Sequence, residues 1–371
     1  MKDVIIIGGG LAGLTNAILL NRAGLSVQLF EEKKYPFHRV CGEYISNEVI
    51  PFLKQHDLFP EELEPSTISQ FHLTSVSGNS LKMCLDLGGF GISRYAFDQW
   101  LLKKAIAEGV QFVNDRITNV KFNNDGFVLT DKKENYHESK VVIGAFGKRS
   151  LIDKELQRDF LKRRSPFIGV KYHVRTDEVS NQAIELHNFK NGYCGISRIE
   201  NGVFNMCYLS HRSNLKASGS VQEMEEQILM KNPHLKCIIS NSEILFERPE
   251  VINEITFEKK EPVHNHVLMS GDSAGMITPL CGNGMAMAIH SAKILSEILV
   301  ESFRNGFDRM EIEKAYIKEW NGIFARRLWA GRKIQKLFGS PMISEAAVSL
   351  GKWIPPFSSY LMKQTHGEPF N

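Results

Sequence analysis

No two of the six cysteines (Cys41, Cys84, Cys194, Cys207, Cys237 and Cys281) are spaced C-x-x-C, and none joins histidines at a zinc-like interval. The sequence therefore lacks the signature of a dithiol redox centre or of a disulfide framework, and no metal is expected. It also lacks any run of eighteen apolar residues, which excludes a membrane-spanning helix on sequence grounds. The opening MKDVIIIGGGLAGL makes a poor secretory signal, because Asp3 and three glycines interrupt its apolar core and no small-residue cleavage site follows. A cytoplasmic protein is expected. An excess of either charge is lacking: a net charge of +3 gives no argument for nucleic acid. With 43% hydrophobic and 23% charged residues, the 371-residue chain can build two domains, or one large α/β body with an inserted layer.

What is present starts at the N-terminus. Val4–Ile7 is a short apolar run of β-branched residues, suited to a strand buried on both faces of a parallel sheet. Gly8-x-Gly10-x-x-Gly13 follows at once, then a helix predicted over 11–23 and closed by Gly24, then a second strand over 26–30 ending in Glu31 and Glu32. Set between strand and helix, with an acid at the end of the next strand, the three glycines predict a dinucleotide-binding βαβ unit. They let a pyrophosphate approach the helix N-terminus, where about half a positive charge resides. Glu31 would accept from adenosine ribose hydroxyls, and Glu32 would face solvent. A second glycine-rich stretch, GDSAGMITPLCGNGMAMA over 271–288, puts a Gly-Asp pair after a strand and a Gly-Asn-Gly turn before a helix of small residues. A nicotinamide dehydrogenase would have no use for it.

Four segments together resemble the geranylgeranyl reductase group of flavoproteins, within the para-hydroxybenzoate hydroxylase superfamily. They are the βαβ unit with Glu31; Pro36-x-x-Arg39-x-Cys41-Gly42-Glu43-x-x-Ser46; Ser93-Arg94-x-x-Phe97-Asp98-x-x-Leu101 with Ala105 and Gly109-Val110 after it; and 271–288. The resemblance implies FAD as cofactor. Gly8, Gly10, Ala12, Gly13 and Glu31 would hold its adenosine half, Arg39 and Arg94 its phosphates or ribityl chain, Ile117 the adenine through its backbone, and Gly147 the adenosine side. Asp272 would bind a ribityl hydroxyl. The N–H groups around Gly282, Asn283, Gly284 and Met285 would face the flavin pyrimidine edge, where a helix N-terminus stabilises an adjacent anion by about 0.3–2 kcal/mol. Cys41 would lie against the ring as the catalytic residue. The alternative for Cys41 and Cys281 is that of small buried fillers.

The pattern also departs from the superfamily. Ala145-Phe146-Gly147 stands where hydroxylases have Ala-Asp-Gly, which removes an acid implicated in FAD and NADPH binding, and no second G-x-G-x-x-G exists for a nicotinamide nucleotide. The electron donor is left as NAD(P)H or a reduced protein partner. Residues 165–260 alternate apolar and polar, with Asn201-Gly202 predicting a two-residue hairpin. This reads as an antiparallel sheet roofing the flavin, with Tyr193 and Gly195 as substrate contacts; the halogenase motif W-x-W-x-I-P is missing from that strand, and Trp353-Ile354-Pro355 occurs out of context.

The fold class expected is thus α/β: a Rossmann-like FAD-binding domain (1–70, 94–160 and 261–310), an antiparallel β-sheet substrate domain (71–93 and 161–260), and a helical C-terminal segment (311–371). In that last segment, 320–338 plots as an amphipathic helix with five positive charges and no acid. Its apolar side reads as packing on the FAD domain, with peripheral membrane contact as the alternative. Arg327 falls within the apolar stripe and needs a partner. Function is expected to be an FAD-dependent oxidoreductase acting on a small apolar molecule (lipid-, isoprenoid- or polyketide-like), reducing C=C bonds by hydride transfer from flavin N5. The alternatives are a monooxygenase of the same superfamily and, on a related fold, a non-catalytic lipid carrier like the Rab escort proteins, which would have no reason to keep Glu31, Asp272 and both glycine turns.

Overall fold

Val4, Ile5 and Ile6 are fully buried, and the strand they form, Lys2–Ile7, is central in the first of two sheets. That sheet runs Gln111–Val113, Val27–Phe30, Lys2–Ile7, Tyr136–Gly144, Val267–Met269, Val263–His264, with parallel pairing through the first five strands. An antiparallel meander, Ile117–Asn123 and Gly126–Asp131, adds to Tyr136–Gly144. The first crossover helix is Leu11–Arg22, and Gly24 follows it at φ +87°, as a helix-closing glycine should. The computed structural model describes residues 1–253, 255–278, 282–335, 340–353 and 367–371, the side chains of 334, 352 and 353 apart. Cys281 and the segments 336–338 and 354–355 lie outside them.

The second sheet carries the alternating sequence. Its order is Glu243–Ile244, Phe167–Arg175, Phe204–His211, Gly192–Arg198, Ala183–Phe189, Ser66–Thr74, Ser80–Gly91, Tyr44–Ser46, with Glu250–Asn253 also on Phe167–Arg175. Every pairing is antiparallel except Ala183–Phe189 with Ser66–Thr74. The hairpin foreseen at Asn201-Gly202 exists but with a longer loop. Ile199 N–H donates to Val203 O, so Glu200, Asn201 and Gly202 form the turn, with Asn201 at φ +58° and Gly202 at φ +71°.

Two faces of this sheet pack differently. One buries Cys194, Ile196, Met206 and Tyr208 under short helices that include Pro233–Asn241; the other carries Leu73, Leu186, Tyr193 and Leu209, which pack with Ile255, Met276 and Val348. The α/β class with two layered sheets and helices towards the C-terminus is therefore the observed one. Among the described residues, no helix is long and apolar enough to cross a membrane.

The segment 320–338 is the end of a longer helix, Arg309–Gln335. Trp320, Phe324 and Leu328 are buried against the first sheet's core, as the apolar stripe implied. Arg327 finds its partner in Glu48, with Nη2 at 3.0 Å from Oε1, and Glu48 also accepts from Gly367 N–H at 2.6 Å. Both charges are buried, so removing one should cost far more than removing both. Arg327→Met is expected to destabilise the fold by about 3–5 kcal/mol. Adding Glu48→Gln should recover part of that loss, read as a non-additive double-mutant cycle in urea unfolding; additive losses would mean the pair is not coupled.

Candidate active site

The first glycine turn has no room for side chains. A Cβ on Gly8, at φ +108°, would sit 2.4 Å from Ala145 O, and one on Gly13 would sit 1.9 Å from Gly8 O. Gly13 thus sets how closely the helix Leu11–Arg22 packs on the turn, and it does not itself line the cavity, unlike Gly8, Gly10 and Ala12. Leu14 N–H is the first helical donor, to Gly10 O at 2.9 Å, which leaves the N–H groups before it without helical acceptors. Glu31 closes the unit. Its buried carboxylate accepts from Gly9 N–H and Lys33 N–H, each at 3.0 Å, and from Arg39 Nη2 at 3.0 Å. Glu32, next to it, is exposed.

Arg39 and Arg94 converge on one carboxylate that the sequence motif contained but did not single out. Arg94 holds Asp98 through Nε at 2.7 Å and Nη2 at 2.8 Å, one helical turn apart, while Arg39 Nε reaches the same Asp98 at 3.2 Å. Asp98 so fixes two cations beside the glycine turn, with Arg94 Nη2 only 3.2 Å from where a Gly10 Cβ would be. Each guanidinium keeps further donors free for an anion.

The Gly-Asp turn is pinned from below by cations that no motif announced. Arg158, buried and paired with Asp153, donates to Ser273 O at 2.8 Å, and Lys260 donates to Asp272 O at 2.8 Å and Lys148 O at 2.7 Å. Burial brings Lys260 down to about 8, against the pull of Asp153 and Asp272. Gly147 N–H donates to Ser273 Oγ at 2.9 Å, docking the 145–147 loop on the same turn. The Asp272 carboxylate itself accepts no hydrogen bond from the described residues, feels the Lys260 charge and lines the cavity. Beyond it the helix Gly284–Asn305 begins, with its first internal bond from Met287 N–H to Asn283 O. Its N-terminus opens on the cavity through Gly282, Gly284 and Met285, whereas Asn283 is fully buried behind them.

These pieces surround one cavity of about 780 Å³. Ile117, Gly147 and Phe146 line it at the nucleotide side, Cys41 stands in its wall, and Tyr193, Gly195, Leu186, Leu209, Ile255 and Met276 form the far end. Of the site residues drawn from the sequence, all but Gly13 and Asn283 reach this cavity. An open turn for a pyrophosphate, a free carboxylate at a second glycine turn and a helix N-terminus facing the same space fit a flavin dinucleotide.

A family model for the FAD binding domain matches residues 1–316. The chain belongs to that family. FAD is its cofactor, and it is an FAD-dependent oxidoreductase. Digeranylgeranylglycerophospholipid reductase of Methanosarcina acetivorans is 25% identical over 336 residues, covering 86% of this chain and 80% of that one, in keeping with the geranylgeranyl reductase resemblance. Among solved structures, the flavin-dependent brominase Bmp2 matches with a TM-score of 0.80 at 18% identity, over 100% of this chain and 94% of that one. The halogenase PltM in complex with phloroglucinol and FAD matches with a TM-score of 0.76 at 15% identity, over 98% and 82%. At such identities these two matches speak for the fold.

Sequence reasoning did not assemble a buried ion cluster on the cavity side of the second sheet. Glu43 has no exposed surface, stands at φ +52°, and binds Lys171 Nζ, His173 Nε2 at 2.7 Å and Arg94 N–H at 2.8 Å. Burial alone would raise its carboxyl; Lys171 and then His173 outweigh this and hold it at about 2. His38, also on the cavity wall, is driven down to about 4 by burial and by Lys171 and His173. The sequence placed Glu43 in a motif and Lys171 and His173 on one face of an alternating strand, but nothing in it brought the three together.

A depressed carboxylate stabilises the fold fully above its ordinary value of 4.5 and loses that contribution as pH falls through about 2. Glu43→Gln should therefore show a flatter fall in urea midpoint over that acid range than the parent; identical acid limbs would contradict the ionised, paired Glu43.

Proposed function

We propose that this chain is an FAD-dependent reductase that saturates C=C bonds of an apolar, lipid- or isoprenoid-like molecule. One observation supports it above others: a single cavity runs from the nucleotide-type glycine turn, past the Cys41 wall, to an apolar sheet face. The relative named for reducing a digeranylgeranyl phospholipid adds weight to a long apolar substrate.

When bound, FAD supplies two-electron redox chemistry at its ring. The residues would divide its recognition as follows. The turn Gly8–Ala12 and the N-terminus of Leu11–Arg22 take the pyrophosphate, backed by Arg39 and Arg94 in the geometry that Asp98 sets. Glu31 accepts from ribose with the acceptor capacity its three bonds leave, and Ile117 and Gly147 border the adenosine. Asp272 takes a ribityl hydroxyl. The first turn of Gly284–Asn305 faces the pyrimidine edge, where backbone donors stabilise negative charge without reorganising.

Saturating a double bond also requires a proton delivered to one carbon. Cys41 is a thiol in the cavity wall, between the nucleotide end and the apolar end, and in this reading it holds that proton. Leu186, Tyr193, Leu209 and Ile255 would orient the substrate by contact and exclude water. Electrons would come from NAD(P)H or a reduced protein partner. Phe146, which lines the cavity where hydroxylases carry an acid, favours reduction over the hydroxylase route.

The test is anaerobic. Dithionite-reduced holoenzyme is mixed with lipid extract of its own organism, and product masses are recorded. A gain of two mass units without oxygen is expected, slowed by Cys41→Ala by about a hundredfold, within the usual range for a lost proton donor. A product that forms only with oxygen and gains sixteen units makes the protein a monooxygenase instead.

A further inference from the structure

Residues 39–42 belong to no helix or strand, yet each of their four successive carbonyl oxygens accepts from a side chain. Lys171 Nζ reaches Arg39 O at 3.2 Å, Lys148 Nζ reaches Val40 O at 3.0 Å, Asn205 Nδ2 reaches Cys41 O at 3.1 Å and Ser197 Oγ reaches Gly42 O at 3.5 Å. Irregular backbone must satisfy its polar groups somehow, but the usual partners are other backbone groups or water. Four adjacent side-chain contacts make a device. We infer that Lys171, Asn205 and Ser197, from the second sheet, and Lys148, from the loop that follows the first-sheet strand Tyr136–Gly144, are positioning residues that clamp the Cys41 loop between them. The inference rests on the proposed role of Cys41.

Strand register shows how the clamp is built. Ser197 and Asn205 are cross-strand partners, and Asn205 is in turn the partner of His173, so the three form a row across neighbouring strands. The next row on the same face is Lys171, Cys207 and Gly195, and the one after it is Gly169, Leu209 and Tyr193. One face thus grades from a polar row that grips the loop to an apolar row that lines the cavity. Gly195, against which a side chain would meet nothing nearer than 3.7 Å, leaves space beside the middle row.

The clamp engages carbonyls and spares donors. Among the described residues, no N–H of Val40, Cys41, Gly42 or Glu43 has a protein acceptor. Strand pairing would have consumed those groups and aimed successive side chains to alternate faces. Glu43 finishes the loop: its ion pair with Lys171 ties the first carbonyl clamp, at Arg39 O, to one buried charge.

The readout is substrate-independent. FAD-loaded protein is treated with iodoacetamide and the modification of Cys41 is followed by peptide mass spectrometry, with exposed Cys84 as internal control. Asn205→Asp keeps the shape but replaces the donor by a carboxylate facing a carbonyl. It should speed Cys41 alkylation by about fivefold, the order expected for one lost hydrogen bond, with Cys84 unchanged. Lys171→Met with Glu43→Gln should do the same without leaving a buried carboxylate unpaired. If Asn205→Asp folds poorly, Lys148→Met, which removes only the Val40 contact, is judged by the same rates. Cys41 rates within twofold of the parent in the folded variants overturn the clamp. Failure of the proton-donor reading is a separate result: Cys41→Ala would then leave turnover intact, whatever the alkylation rates show.

Discussion

A carboxylate with no exposed surface joins the second sheet to the helix that carries Arg94. Glu43 ends the loop that leaves the dinucleotide-type unit, and it is met there by Lys171 and His173 from the second sheet and by the first N–H of the Arg94–Ala107 helix. Burying such a charge costs several kcal/mol unless every acceptor site is used, so the arrangement tolerates little displacement of any partner. The loop, the sheet and the helix that carries Arg94 are consequently fixed with respect to one another.

The same short stretch holds a second buried carboxylate five residues on. Glu48 ties down Arg327 of the long C-terminal helix and the N–H of Gly367, and Phe370 stacks on His290 beside it at 3.8 Å. Residues 39–48 therefore act as a junction among the glycine turns, the substrate face and the end of the chain. What lies in the cavity is bounded on one side by backbone donors and on the other by apolar side chains. Cys41 is placed where those two environments meet.

Much of this could be read from the sequence because local chemistry dictates it. Gly8, Gly10 and Gly13 between strand and helix admit few other folds, and Glu31 at the next strand end follows from the same unit. Asp272 was singled out through the resemblance that the 271–288 stretch carries, and the structure places it on the cavity wall. The remainder depends on contacts between residues far apart in the chain. Asp98 looked like one more acid at a helix start, and only packing shows that it gathers Arg39 and Arg94. Arg158, Lys260, Lys171 and His173 sit in stretches with no motif, and their partners lie over a hundred residues away in most cases. Arg327 announced that it needed an acid, but periodicity cannot say which. The hairpin at Asn201-Gly202 was recognised and its loop length missed, because Ile199 and Val203 pair once more before the chain turns.

The central claim is that the cavity-lining Asp272 carboxylate and the glycine turns around it hold the flavin half of FAD within the shared cavity. Titration of FAD into apoprotein, followed by flavin fluorescence, tests this with two variants of equal charge. Asp272→Ala should weaken binding by about ten- to a hundredfold, the value of one charge-assisted hydrogen bond. Glu32→Ala, at an exposed position beside Glu31, should bind as the parent does. Equal affinities for the two variants would contradict the placement of the cofactor.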